Sequence, residues 1–197
     1  MGTETCSVPG CNNEVVIHLY RVRNRRLYQQ ATYCEEHAHS FLADYFTELL
    51  AGEGAPSRCQ DAVAFDVDLL LLDERPNKPC QFSLREVGGT RRLDCGTGIF
   101  EVSALQRELE RLSMPRPLTH RAMASLVTAL GGRLDRVLVD KFLASQRIYE
   151  AKLHIHQATS TVVVDVRISD AVVLAVICEV PIFVSDQVLA GLSQTPG

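Results

Sequence analysis

The 197-residue chain is predicted to fold as α+β, a mixed sheet packed with helices and preceded by a small β-hairpin plus helix, on three observations. Strand-like and helix-like segments come in blocks rather than in strict alternation, which separates this class from doubly wound α/β folds. Ala62–Leu72 sets Val63, Phe65, Val67 and Leu69 against Asp66 and Asp68, a period of two that marks a strand with one wet face. Val102, Leu105, Leu109 and Leu112 recur instead at helical spacing.

Bulk composition narrows the function. Hydrophobic residues make up 46% of the chain, enough for a real core. Formal net charge is −4, so gripping a polyanion needs a local basic patch rather than a whole-protein field. The opening MGTETCSVPG lacks the basic start and apolar run of a signal peptide. No stretch approaches the roughly 20 apolar residues that span a bilayer. The expectation is a cytoplasmic protein with no membrane partner. Seven cysteines, an odd number without an export signal, argue against a disulfide framework.

Taken in order, the first elements surround four metal-ligand types. Cys6 and Cys11 flank the tight turn Val8-Pro9-Gly10. Val15–Arg23, rich in β-branched and aromatic residues, predicts a strand, Arg23–Arg26 a polar tip, and Leu27–Tyr33 a returning strand. Cys34-Glu35-Glu36-His37 closes the set, and a helix from Glu36 to Leu50 can carry His37. Three thiolates and one imidazole fill the tetrahedron of Zn²⁺ and leave no open position, so the site Cys6, Cys11, Cys34 and His37 is predicted to be structural. Its binding free energy becomes folding free energy for a unit too small to hold a core alone. His18, in mid-strand, reads as a packed or ligand-supporting residue, and His39 as facing away from His37. Arg21, Arg23, Arg25 and Arg26 read first as a solvated turn, helped by Glu14, Glu35 and Glu36, and second as a contact for nucleic-acid phosphates.

The stretch is also similar to the zinc fingers found with UvrB/UvrC-type motifs in bacterial stress proteins. Those run from a cysteine pair, through an apolar strand containing histidine, to a closing Cys-x-x-Cys/His. The small-residue and proline stretch from Ala51 to Ser57 then reads as a joint. The predicted organisation is a zinc module over 1–52, a linker over 53–60 and an α+β domain over 61–192.

Within that domain, Glu74–Lys78 predicts a turn, Cys80–Val87 a strand pairing back, and Gly88-Gly89 a second turn. Glu101–Leu112 is predicted as an amphipathic helix, which Pro115 and Pro117 prevent from continuing. Thr119 should cap a second helix with an apolar face of Ala122, Met123, Leu126, Val127 and Leu130, ended by Gly131-Gly132. Leu134–Phe142, Ile148–Gln157 and Thr161–Ile168 follow as strands. Ser169 should cap a helix that is apolar almost all round from Ala171 to Cys178 and therefore buried. Pro181–Val184 is a short strand, and Ser185 opens the last helical turn.

Four blocks carry a family resemblance: GIFEVSALQRELE, MPRPLTHRAMASLVTALGGRLDRVLV, YEAKLHI, and VVVDVRISDAVVLAVICEVPIFVSDQVL. In order and spacing, over roughly residues 62 to 190, they resemble the bifunctional nuclease (BFN) domain family. The chain departs from it at Leu93–Gly98, where the family shows an aromatic-containing apolar strand. It departs again at Gln106-Arg107-Glu108, and at Ile168, which stands for a proline before Ser169-Asp170.

The resemblance implies hydrolysis of RNA or DNA with a divalent ion, Mg²⁺ or Mn²⁺, held by converging carboxylates, with cationic groups on the phosphate. Candidates inside the matched blocks are Glu101, His120, Asp165 and Asp170 for catalysis, and Arg116 and Arg167 for substrate. Each has a structural reading beside it. Asp170 can complement a helix dipole, Glu101 its own helix start, and Thr119 and His120 a cap. Asp165 and Arg167 can pair as ions on one strand face. His154 and His156 share a strand face and read as an exposed pair rather than as ligands. No Gly-x-Ser-x-Gly and no glycine-rich phosphate loop is present, so covalent catalysis and P-loop chemistry have no support. A homo-oligomer is expected, because apolar strand faces such as Val162–Val166 need covering. The alternative to a nuclease is a non-catalytic regulatory or adaptor protein whose zinc module docks a protein or nucleic-acid partner.

Overall fold

The computed structural model describes residues 5–48, 58–59, 61–73, 75, 78–143 and 145–192. The helix end expected near Gly52, most of the linker at 53–60 and most of the turn at Glu74–Lys78 fall outside these. The fold is a large mixed α+β arrangement, as the block order predicts, with its residues divided between two compact units. One unit comprises Met1–Ala55 and Val67–Glu110, the other Pro56–Asp66 and Arg111–Gly197.

In the first unit, β1 (Ile17–Arg23) and β2 (Arg26–Tyr33) form an antiparallel hairpin, followed by α1 (Glu35–Glu48). After the two-residue β3 (Arg58–Cys59) comes β4 (Ala62–Asp73), whose later residues Leu69–Asp73 pair antiparallel with β1. β5 (Cys80–Glu86) pairs with β4 and with β6 (Arg92–Thr97). The strand β6 was not expected. Its inward residues Leu93 and Cys95 do alternate, but Arg92, Asp94 and Gly96 interrupt the apolar signal. The turn before it is closed by Glu86, which accepts two hydrogen bonds from the Arg91 guanidinium at 2.8 and 2.7 Å. Gly89 leaves room for that carboxylate, because a Cβ would stand 2.2 Å from the Glu86 carboxyl carbon and displace it from Arg91.

The helix α2 (Ile99–Leu109) begins two residues earlier and ends three earlier than its apolar spacing suggests. Val102, Leu105 and Leu109 are buried as expected, while Leu112 lies beyond the helix and is 50% exposed.

The second unit is a sheet in the order β4-β10-β7-β8-β9, to which β4 contributes Ala62–Phe65. β7 (Arg133–Leu143), β8 (Ile148–Gln157) and β9 (Ser160–Arg167) form an antiparallel meander. β10 (Ile182–Ser185) lies parallel to β7 and antiparallel to β4. The apolar α4 (Ile168–Ile177) is buried nearly throughout, as its composition requires. Ser185 accepts the Val188 N–H at 3.3 Å and so opens α5 (Asp186–Leu192) in the expected manner.

Two expected caps are displaced. α3 (Thr119–Ala129) is entered from Leu118 and α4 from Arg167, both in extended conformation. Neither Thr119 nor Ser169 is the cap residue, and Ser169 is buried inside the first turn. A larger departure concerns the apolar face of α3. None of its residues is buried, and Leu126 and Leu130 are 61% and 77% exposed.

Candidate functional site

Two side-chain clusters, one in each unit, hold most of the candidate residues. In the first unit, Cys6, Cys11, Cys34 and His37 bring their ligand atoms within 4.8 Å of one another. Among the described residues this is the one group of three or more His, Cys, Asp or Glu side chains so arranged that it can hold a metal ion. Local geometry explains why. Pro9 and Gly10, the latter at φ 80°, occupy the central positions of a turn closed by Cys11 N–H to Val8 O at 3.1 Å. That turn presents Cys6 and Cys11 together. The hairpin then returns the chain so that Tyr33 faces Ile17, and Ala38 N–H bonds to Cys34 O as α1 begins.

His37 Nδ1 lies 3.4 Å from both Cys6 Sγ and Cys34 Sγ, and Cys11 Sγ lies 3.9 Å from Cys34 Sγ. Burial raises the Cys6 thiol, but hydrogen bonds from the Cys34 and Val8 backbone and from His37 outweigh it and bring the pKa to about 6. Cys34 is also lowered, first by a backbone hydrogen bond at His37, against burial, and then by Asn13, whose Nδ2 donates to its sulfur at 3.8 Å. Ile17, Leu19, Tyr33, Ala38 and Leu69 pack around the sulfurs as one apolar cluster.

Sequence reasoning missed a clamp next to these ligands. The guanidinium of Arg75 takes both oxygens of Asp73 at 2.9 and 2.7 Å and reaches Glu35 at 2.5 Å. Glu35 follows Cys34 directly, so the clamp ties the ligand-bearing start of α1 to the end of β4. Nothing local in the sequence links position 35 to position 75. His18 is buried on β1 and His39 exposed on α1, as read.

In the second unit, residues 50 positions apart come together. His120 Nε2 lies 3.0 Å from Asp170 Oδ1, and Arg167 forks onto the same carboxylate at 2.9 and 3.2 Å. His120 and Asp170 sit in the first turns of α3 and α4, where helix N-termini favour negative charge. Burial raises the Asp170 carboxyl, but Arg167 and then His120 outweigh it and hold the group below the usual carboxylate value. An ionised carboxylate only accepts, so His120 Nε2 is the donor in this contact.

The remaining candidates are placed differently. Asp165 is exposed on β9 across from Lys152, which itself pairs with Asp140. Arg116 is exposed in the bend between Pro115 and Pro117. Glu101 belongs to the first unit, at the third position of α2. Its Oε2 lies 2.6 Å from where a Cβ on Gly98 would stand, so the carboxylate folds back over its own helix start. His154 is half-buried and His156 exposed on β8. An open groove of about 910 Å³ runs beside α3, lined among others by Pro117, Arg121, Ser125, Arg133 and Cys178. No helix among the described residues is long and apolar enough to cross a membrane.

Comparison with known proteins adds a family. The family model described as the bifunctional nuclease domain matches residues 83–196. Uncharacterised proteins from two strains of Mycobacterium tuberculosis are 35% identical to this chain over 118 residues, covering 59% of it and 68% of each relative. The match begins within β5 and takes in β6, α2 and the His120–Asp170–Arg167 cluster, while the cysteine cluster precedes it.

Proposed function

Since the chain belongs to the bifunctional nuclease domain family, we propose that it hydrolyses phosphodiester bonds of RNA, DNA or both, with His120, Asp170 and Arg167 at the centre of the site. The observation that carries this reading is the His120–Asp170 hydrogen bond inside the matched segment. A histidine oriented by a carboxylate is a positioned general base, and it stands beside a guanidinium suited to phosphate. Arg116 is assigned to further phosphate contact, as its exposure allows. Both oxygens of Asp170 are already engaged, so the described donors do not form a resident cage for Mg²⁺ or Mn²⁺. Asp165 and Glu101, which resemblance adds to the catalytic set, are given no role in this scheme.

The ion assigned to Cys6, Cys11, Cys34 and His37 is Zn²⁺ in a structural role. Zn–S and Zn–N bonds of about 2.3 and 2.0 Å set tetrahedral edges of about 3.8 Å between sulfurs and 3.5 Å between sulfur and nitrogen. The separations of 3.9 and 3.4 Å fit that solid.

The activity is tested with purified full-length protein on single-stranded RNA and single-stranded DNA, each with Mg²⁺ and with Mn²⁺. Cleavage of at least one polymer is expected, and survival of both under both ions would sink the reading. Self-association belongs to the same proposal. Among the described residues β9 ends the sheet path and leaves Val162, Val163 and Val164 at 41%, 49% and 37% exposure, an edge of the kind that folded proteins normally protect. Sedimentation velocity should show a dimer or larger species that Val163→Lys disperses. A wild-type monomer at all concentrations would refute this part alone.

A further inference from the structure

The tip of the β1–β2 hairpin is built at a cost that a merely solvated turn would avoid. Asn24 and Arg25 join the strands with φ of 50° and 54°, the left-handed pair of a type I′ turn. Asparagine suits its place. Arginine does not, because it carries the Cβ clash that glycine, the usual second residue, escapes. Arg23 stands directly across the hairpin from Arg26, and like charges in that position weaken a strand pair. Three arginines thus crowd four positions of a chain whose net charge is −4.

The neighbouring ring gives the cluster its character. Tyr28 is 51% exposed, and the Arg23 guanidinium carbon lies 5.1 Å from its ring centre. Arg21 is engaged elsewhere, over Phe41 at 5.3 Å, and is not part of the tip. A polyanion relieves the repulsion among Arg23, Arg25 and Arg26. An exposed aromatic beside a guanidinium offers a stacking platform to an unpaired base. An acidic protein would use the arginines but has no need of the platform.

We propose that Arg23, Arg25, Arg26 and Tyr28 form a docking site for single-stranded nucleic acid, with phosphates on the arginines and a base on Tyr28. The site lies outside the family-matched residues 83–196. It takes its ligand class from the nuclease reading but shares no residue with it.

The test is fluorescence anisotropy of labelled 12-nucleotide RNA and DNA single strands with full-length protein, without added Mg²⁺ or Mn²⁺, in a His120→Ala background. Each phosphate contact on a single strand contributes about 0.7 to the slope of log affinity against log salt, or roughly fivefold at 0.1 M salt. Arg25→Gly should therefore weaken binding roughly fivefold, and Arg23→Ala/Arg25→Gly/Arg26→Ala about 100-fold with a slope smaller by about 2. Arg25→Gly should at the same time leave the melting temperature unchanged or higher, because it removes left-handed strain and like-charge repulsion. Tyr28→Leu should weaken the oligonucleotides but not inorganic polyphosphate, which has no bases.

Arginine variants that bind like the parent would overturn the proposal, as would capture by phosphatidylserine vesicles without oligonucleotide binding. A Tyr28→Leu protein with parental affinity for both strands would remove the base platform. A protein that binds in this way yet never cuts either polymer refutes the nuclease reading and leaves this site standing.

Discussion

Replacing Cys34 by serine is expected to empty the metal site and unfold the first unit, with zinc falling from about one ion per chain to near zero. Cys34 is the most connected of the four ligands. Its sulfur lies within 3.9 Å of Cys11 Sγ and 3.4 Å of His37 Nδ1, and it packs in the same apolar cluster as Ile17, Leu19 and Leu69. Structural zinc contributes on the order of 10 kcal/mol to the folding of small modules, comparable with the whole stability of a domain. The loss should not stop at the hairpin. β1 supplies backbone partners to Leu69–Asp73 of β4, and Arg75 ties Asp73 to Glu35 at the start of α1. Hydrogen exchange should therefore show lost protection in β1, β2 and Leu69–Asp73, with β7 and β8 still protected. Cys59→Ser, at an exposed cysteine, is the control and should alter neither zinc content nor exchange. A Cys34→Ser protein with full zinc and a parental melting curve would show that these ligands do not hold the ion.

How legible these features were depended on the range of the interaction behind each. The convergence of Cys6, Cys11, Cys34 and His37 could be read because thiolate and imidazole chemistry is carried by residue type, and because the turn at Val8–Gly10 and the hairpin are local. β8 could be read to the residue, Ile148–Gln157, since its alternation is uninterrupted. β6 escaped because charged and glycine residues separate its two buried side chains, Leu93 and Cys95. α3 teaches a different lesson. Its period correctly announced a helix with an apolar face, but a period says nothing about whether the same chain covers that face. Leu126 and Leu130 remain largely exposed. The pairing of His120 with Asp170 was beyond any local pattern. Each residue alone reads as an ordinary first-turn side chain, and only the approach of α3 to α4 joins them. The Arg167–Asp165 pair suggested by strand spacing had the same weakness. Arg167 sits where β9 becomes α4, and the helical turn brings Asp170 under its guanidinium at 2.9 Å.

That cluster sets the remaining large effect. His120→Ala should lower kcat by about 10²–10⁴-fold, the range for loss of a positioned general base, with a lower melting temperature from the lost Asp170 contact but the parental fold kept. Its side chain is 15% exposed and meets Asp170 through Nε2, so truncation removes that hydrogen bond together with the base. Asp170 is a positioning residue, because it acts through the imidazole. Asp170→Asn should lower kcat while KM stays near its parental value, whereas Arg167→Ala should raise KM, as expected for a phosphate contact. The carboxylate also provides a readout independent of activity. Its folded pKa is depressed by Arg167 and His120 against the opposing effect of burial, so it contributes stability above the unfolded carboxylate value of about 4. That contribution is lost as pH falls through the lower folded value. The melting-temperature gap between parent and Asp170→Asn should therefore be constant above about pH 5 and close as pH drops below about 4. If His120→Ala cuts RNA and DNA as fast as the parent while the gap closes as described, the cluster is an ion pair that fastens α3 to α4 and the catalytic assignment fails. Loss of cleavage in His120→Ala, with the parental fold kept, is the outcome that the Nε2–Asp170 geometry requires.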